Sequence, residues 1–175
     1  MRDIAGRVAY VFADENFDVD QIVGVKNIKL QDPEALARVA MERFDPEFRN
    51  RVRPGDVLVG GRNFGYGHPH FPAMKAMRHL GIAAVVAESF FPIYWRGEIS
   101  MGFPQVACEG IVAAVRRWDE IEIQWMRGVV RVLRTGAELR FSPHTAVERA
   151  ILEAGGFKAY LRQRMATDGT ARDPS

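Results

Sequence analysis

Residues 56–87 constrain the fold more than any other part of the sequence. Residues 57–59 and 82–87 are short apolar runs typical of buried strands, and between them residues 71–80 have a helical pattern that ends at Gly81. A strand, a loop, a helix and a second strand in this order predict a βαβ unit. Its strands should be parallel and its crossover right-handed.

The loop of this unit, residues 60–67 (GGRNFGYG), has four glycines in eight residues. Glycine lets the backbone approach a ligand closely, and the free N–H groups at the following helix N-terminus favour an anion. The spacing fits neither the GxGxxG fingerprint nor a Walker loop. The loop is therefore either a tight connection or a binding site for a carboxylate or phosphate.

Two histidines follow the glycine loop, in His68-Pro69-His70. Imidazole titrates near neutral pH, so it can act as a base, as an acid or as the partner of an anion. Pro69 stiffens the backbone between the two rings. The alternative is that both histidines are ordinary surface residues of a loop.

The rest of the chain predicts a single α/β domain over residues 1–165 and a disordered tail over 166–175. Residues 7–12 form a strand, and a helix starts at Asp32 and runs to Phe44, before Asp45-Pro46. Residues 119–142 alternate in polarity and have glycine turns, which predicts a small antiparallel meander. Two C-terminal helices follow, one from Ser142-Pro143 to Glu153 and one over residues 157–164.

Composition excludes several classes of function. The net charge is only +2, and basic residues are mixed with acidic ones, so we expect no nucleic-acid partner. No apolar run approaches the ~20 residues of a membrane helix, so we expect no membrane partner. The single cysteine, Cys108, can form no internal disulfide and cannot hold an iron–sulfur cluster or a structural zinc. These features fit a reducing cytoplasm.

Several blocks resemble one family, the small subunits of isopropylmalate dehydratases and the swivel domains of aconitases. GDVLVGGRNFGYG (55–67) followed by HLGIAAVVAESF (79–90) is similar to the family pattern GDxxVAGxNFGxGSSRE followed by GIxAVIAxSFARIF. The flanking blocks DVDQI (18–22), FDPEF (44–48) and ILEAGGFKAYLRQR (151–164) also match. The resemblance implies a swivelling β/β/α domain, in which a central mixed sheet with the βαβ unit is joined by the meander and the C-terminal helices.

The resemblance also implies a function. Family members are subunits of hydro-lyases that remove water from a small hydroxy acid, or add it. They pair with a large subunit whose four-iron four-sulfur cluster acts as a Lewis acid, and they contribute a serine base and an arginine that binds a carboxylate. We therefore expect this chain to bind no metal or cofactor by itself and to be active only with its large subunit. An isolated small subunit could form homo-oligomers.

The chain departs from the family at the residues that would touch substrate. The family's Ser-Ser-Arg corresponds to His68, Pro69 and His70, and the arginine of the SFAR block to Pro92. We predict His68 as the catalytic base and His70 as a substrate-binding residue. The other predicted substrate-binding residues are Asn63, Gly65, Gly67, Lys26 and Asp20.

Four aromatic residues are expected to make the pocket more apolar: Phe71, Phe91, Tyr94 and Trp95. Histidine does not reproduce the bidentate pairing of arginine with a carboxylate. A non-standard hydroxy acid is therefore the predicted substrate.

Two alternatives remain open. The chain could be a non-catalytic partner module that has lost the Ser-Ser-Arg site. It could also be a stand-alone metal protein, because the His-x-His spacing of His68 and His70 allows metal binding, although the sequence marks no third ligand.

Overall fold

The computed structural model describes the backbone of residues 1–170 and the side chains of residues 1–166. Within these residues, seven strands form one mixed sheet. In chain order the strands are β1 (Ile4–Phe12), β2 (Val57–Gly60), β3 (Ala84–Ala87), β4 (Gln105–Ala107), β5 (Glu120–Gln124), β6 (Val129–Val132) and β7 (Ala137–Arg140). Across the sheet they lie in the order β4-β3-β2-β1-β5-β6-β7.

The helices in the same part of the chain are mostly short. The α-helices are α1 (Pro33–Val39), α2 (Phe48–Arg51), α3 (Phe71–His79), α4 (Pro92–Ser100), α5 (Ile111–Ala114), α6 (Ala146–Glu153) and α7 (Phe157–Thr170), and two 3₁₀ helices lie at Val19–Ile22 and Val25–Asn27. None of the described helices is long and apolar enough to cross a bilayer.

Strand β1 joins the parallel and antiparallel halves of the sheet. Its first residues, from Ile4 to Arg7, pair antiparallel with β5, and its later residues, from Val8 to Phe12, pair parallel with β2. Strands β2, β3 and β4 continue the parallel half, while β5, β6 and β7 form an antiparallel meander. The predicted α/β class, βαβ unit, meander and C-terminal helices are all confirmed.

The parallel half of the sheet is buried on both faces. Along β2, Leu58 belongs to one core cluster, whereas its neighbours Val57 and Val59 belong to another. Successive strand residues point to opposite faces, so the two clusters lie on opposite sides of the sheet. Burial on both faces explains why β2 and β3 are continuous apolar runs without alternation.

Helix α1 begins as predicted and ends earlier. The Asp32 carboxylate caps it by accepting a hydrogen bond from the Ala35 N–H at 2.9 Å, and Pro33 is its first residue. The helix was expected to reach Phe44 but stops at Val39. Met41 adopts a left-handed φ of 67° and donates its N–H to the Ile22 carbonyl at 2.7 Å, which turns the chain toward the first 3₁₀ helix.

The two C-terminal helices differ from their predicted bounds. Helix α6 starts at Ala146, not at Ser142-Pro143, because Thr145 and Glu148 form a reciprocal capping box. Helix α7 continues to Thr170, beyond its predicted end at residue 164. The last five residues of the expected tail, 171–175, lie outside the described residues, so the disorder of that tail stays a prediction.

Candidate functional site

The glycine loop leaves β2 at the C-terminal edge of the parallel strands and packs tightly against the segment after β1. Gly61 donates its N–H to the Phe12 carbonyl at 2.8 Å, and a Cβ there would lie 2.7 Å from the Ala13 carbonyl oxygen. Gly65 has a left-handed φ of +83°, and a Cβ there would lie 2.2 Å from Tyr94 Cγ. These two glycines are required by packing within the chain.

Hydrogen bonds hold the middle of the loop from two sides. Asn63 has a left-handed φ of 55°. Its backbone N–H donates to Ser89 Oγ at 2.9 Å, and its side-chain amide N–H donates to Asn16 Oδ1 at 2.7 Å. The N–H groups of Gly65 and Tyr66 both donate to the Phe17 carbonyl. The loop is therefore preorganised, and two of its predicted substrate-binding residues, Asn63 and Gly65, already use these polar groups within the chain.

Gly67 differs from the other loop glycines. Its φ is +99°, and a Cβ there would meet nothing within 4 Å. It is the loop glycine that leaves space beside the backbone, directly before His68. This is the arrangement expected of a glycine that a ligand approaches.

The structure brings together two of the predicted site residues, Asp20 and His70. Asp20 lies in the first 3₁₀ helix, and its side chain is only 8% exposed. Its Oδ1 accepts the His70 backbone N–H at 3.0 Å, and its Oδ2 lies 2.6 Å from His70 Nδ1. His70 is also the N-cap residue of α3, so the Asp20 carboxylate already lies as an anion at the positive end of that helix.

His68 and Lys26 lie apart from this pair. The His68 side chain is exposed, and among the described residues no hydrogen bond or ion pair engages its ring. Lys26 is exposed in the second 3₁₀ helix and lines a separate depression with Gln21, Glu42 and Arg43. Within the described part of the chain no hydrogen bond or ion pair links Lys26 to either histidine, so its role in the site stays a prediction.

Two of the four aromatic residues expected in the pocket pack against the rest of the protein instead. Tyr94 is 2% exposed and packs beneath Gly65. Trp95 stacks on His144 with ring centroids 5.1 Å apart and donates its indole N–H to Glu148 at 2.6 Å. Their positions at the start of α4 turn both rings toward the protein, which corrects the expectation that they line the pocket.

Exposed aromatic rings flank the two histidines instead. Phe71, directly after His70, is 56% exposed, as expected of a pocket residue. Tyr66, which is not among the predicted site residues, is 48% exposed and packs edge-on against Phe91 at 5.5 Å between centroids. No local pattern marks Tyr66 as exposed, because its orientation depends on how the loop packs in the folded chain.

The described donors do not fit a metal or cluster site. No group of three or more His, Cys, Asp or Glu side chains within residues 1–166 is arranged to hold a metal ion. Cys108 is buried, its Sγ lies 3.7 Å from the Arg140 carbonyl oxygen, and burial raises the pKa of its thiol to about 11. A thiol in this state is a poor metal ligand, since the thiolate is the ligating form. The stand-alone metal hypothesis gains no support.

Comparison with known proteins agrees with the motifs. Residues 12–126 match the family model described as the aconitase C-terminal domain. The 3-isopropylmalate dehydratase small subunit 1 of Methanopyrus kandleri is 42% identical over 93% of this chain and 95% of that protein. The isopropylmalate/citramalate isomerase small subunit of Methanocaldococcus jannaschii is 39% identical over 86% of this chain and 90% of that protein.

A solved structure extends the agreement to the fold. The crystal structure of 3-isopropylmalate dehydratase from Methanocaldococcus jannaschii matches with a TM-score of 0.87 at 30% identity, covering 97% of this chain and 99% of that one. The resemblance inferred from the sequence blocks is confirmed by both kinds of comparison. The chain belongs to the aconitase family, as a small subunit of the 3-isopropylmalate dehydratase type.

Proposed function

We propose that this chain completes the active site of a hydro-lyase whose large subunit carries a four-iron four-sulfur cluster, and that the enzyme acts on a non-standard hydroxy acid. Two observations support a division of labour between subunits. The relatives are named as small subunits. The donors of this chain do not fit a cluster, because its single cysteine is buried and protonated at neutral pH.

The cluster, when bound by the partner, supplies a Lewis acid for the substrate hydroxyl and one carboxylate. The loop that carries His68 and His70 supplies the other two functions of the family site, which are proton transfer and binding of the second carboxylate. Both histidines lie on a loop that hydrogen bonds hold in place, so their backbone is preorganised for either function. The correspondence with the family's Ser-Ser-Arg places the base at His68 and the carboxylate-binding side chain at His70, and the proposed function requires only that the two histidines share these roles.

The observation that carries the proposal of a non-standard substrate is the pairing of Asp20 with His70. The family's clamp is a guanidinium, which is always charged and binds a carboxylate through two hydrogen bonds. Here the corresponding side chain is an imidazole beside a carboxylate, so the pair carries no net positive charge. Whichever of the two histidines binds the second substrate carboxylate, that carboxylate would gain less than it does from arginine, because an imidazole does not reproduce the bidentate pairing.

The exposed rings of Tyr66 and Phe71 suggest that apolar contacts replace the attraction of the family's arginine for a carboxylate. Exposed aromatic side chains beside a polar loop are typical of a binding surface for apolar groups. We propose a hydroxy acid with a bulky apolar substituent on the side that faces this subunit. The chain would do this work in the reducing cytoplasm, where a cluster enzyme is stable.

The test is reconstitution under anaerobic conditions with the cluster-bearing large subunit of the same organism. Hydration and dehydration are measured for 3-isopropylmalate, for citramalate and for hydroxy acids with larger alkyl or aryl substituents. We expect turnover only when both subunits are present, with a higher kcat/KM for the more apolar acids. A preference for 3-isopropylmalate would overturn the substrate proposal, and a stable complex without turnover on any acid would favour the non-catalytic partner module.

A further inference from the structure

The Asp20–His70 pair points to a different distribution of roles from the one that the family alignment suggests. We infer that His70 is the residue that transfers the proton, that Asp20 is its positioning residue, and that His68 binds the substrate carboxylate. This inference rests on the proposed hydro-lyase function, since it assigns residues within that site.

The geometry determines which nitrogen of His70 carries the proton. Asp20 Oδ2 lies 2.6 Å from Nδ1, and an ionised carboxylate can only accept hydrogen bonds. Nδ1 therefore carries the proton, and Nε2 carries the lone pair. Because Asp20 also accepts the His70 backbone N–H, one carboxylate fixes both the main chain and the ring of the histidine.

Asp20 is itself held rigidly. It is one of the buried residues of the first 3₁₀ helix, and its N–H donates to Asp18 Oδ1 at 2.9 Å. Neighbouring Val19 and Ile22 are fully buried in the core. An orienting acid on a packed element, with a histidine at its edge, is the arrangement by which proteins select one imidazole tautomer for proton transfer.

His70 is also accessible. Its side chain is 48% exposed, and within the described residues nothing hydrogen-bonds to Nε2. Nε2 is therefore available to a substrate at the mouth of the loop. His68 is exposed too, but no carboxylate within the described residues pairs with it. A protonated His68 keeps a positive charge that a substrate carboxylate can neutralise, whereas the charge of a protonated His70 is already balanced by Asp20.

In the dehydration direction, Nε2 of His70 takes a proton from the carbon next to the one that bears the hydroxyl group. The electron pair of that C–H bond forms the C=C bond, and the C–O bond breaks with its electron pair leaving on oxygen. The oxygen takes up a proton from solvent and departs as water, and the imidazolium of His70 returns its proton to solvent, so the protons balance. Hydration is the reverse.

The first test is spectroscopic and uses the full chain with ¹⁵N-labelled histidine. We expect the NMR signals of His70 to show the Nδ1–H tautomer in the wild type. In Asp20→Asn the amide can donate to Nδ1, so we expect the Nε2–H tautomer. Asp14→Asn, in an exposed position of the same acidic segment, is the matched control and should leave the tautomer unchanged. An Nε2–H tautomer in the wild type would overturn the pairing.

The second test uses the reconstituted enzyme. Asp20→Asn should lower kcat by about 10²- to 10⁴-fold with little change in KM, because it leaves the proton on the wrong nitrogen. His68→Gln should raise KM and change kcat much less. A collapse of kcat in His68→Gln together with normal kcat in Asp20→Asn would overturn the inference while leaving the proposed function intact. A wild-type enzyme without hydro-lyase turnover would overturn the proposed function, and the role of His70 with it.

Discussion

Replacing Gly65 with alanine should destabilise the chain more than the same change at Gly67, the other glycine of the loop with a left-handed φ. At φ +83° an alanine is strained, which costs about 1–2 kcal/mol. Its Cβ would also lie 2.2 Å from Tyr94 Cγ, and forcing such a contact into a packed core costs about 1–3 kcal/mol. Alanine also lowers the conformational entropy of the unfolded chain, which offsets part of this cost. We therefore expect the free energy of unfolding to fall by about 2–4 kcal/mol.

Gly67→Ala is the matched control. Its φ of +99° gives a similar backbone strain, but a Cβ there meets nothing within 4 Å, so the expected loss is only about 1 kcal/mol. Urea unfolding of the isolated chain, followed by circular dichroism, measures both values. In a Tyr94→Ala background the extra cost of Gly65→Ala should shrink but not vanish, because the ring is gone while the Cβ at position 94 still lies 2.5 Å from the new Cβ. Equal losses for the two alanine variants would refute the packing role assigned to Gly65.

Three further predictions concern other parts of the chain. Thr145→Ala should lower the free energy of unfolding by about 1 kcal/mol, because it removes the cap that accepts the Glu148 N–H at 3.2 Å. Burial lowers the pKa of His144, so the unfolded state binds the proton more readily, and the free energy of unfolding should fall as pH drops below about 6.5. Because burial raises the pKa of the Cys108 thiol to about 11, a thiol reagent at pH 8 should label the chain only after unfolding.

Each of these predictions has its own control. Thr145→Ser keeps the hydroxyl and should retain most of the stability. An equal loss of stability in the serine and alanine variants would show that the hydroxyl does not stabilise α6 as a cap. His144→Phe keeps an aromatic ring beside Trp95 and should flatten the pH dependence between pH 5 and 7, as measured by urea unfolding. An unchanged slope in that variant would contradict the assignment to His144. Rapid labelling of the native chain would show that Cys108 is accessible.

The parts of the fold that were predictable have local signals. Asp32 and Pro33 mark the start of α1 because capping and a fixed proline φ act within one turn. Gly128 and Gly136 mark the turns of the meander because both adopt left-handed φ values, 65° and 73°. The apolar runs of β2 and β3 predicted buried strands, as observed.

The parts that were not predictable depend on contacts between distant segments. Helix α1 ends early because the Met41 N–H donates a hydrogen bond to the Ile22 carbonyl, and no local sequence pattern indicates that hydrogen bond. Helix α4 is not predicted from the sequence, although Pro92 stands at its start.

The candidate site shows the same division between local and distant information. The glycine loop and its two histidines were found from the sequence because they are contiguous. The bond between Asp20 and His70 joins residues 50 positions apart, so the sequence could nominate each residue but could not pair them. Whether the exposed Tyr66 faces solvent or the core likewise depended on packing that only the folded chain determines.

The central claim is that this chain is one half of a hydro-lyase site. The most direct measurement is the rate of hydroxy-acid dehydration by this chain alone, by the cluster-bearing large subunit alone, and by the two mixed at equal concentration under anaerobic conditions. A site shared between the two subunits requires turnover in the mixture and none above background in either subunit alone. Full turnover by the large subunit without this chain, or by this chain without its partner, would contradict it.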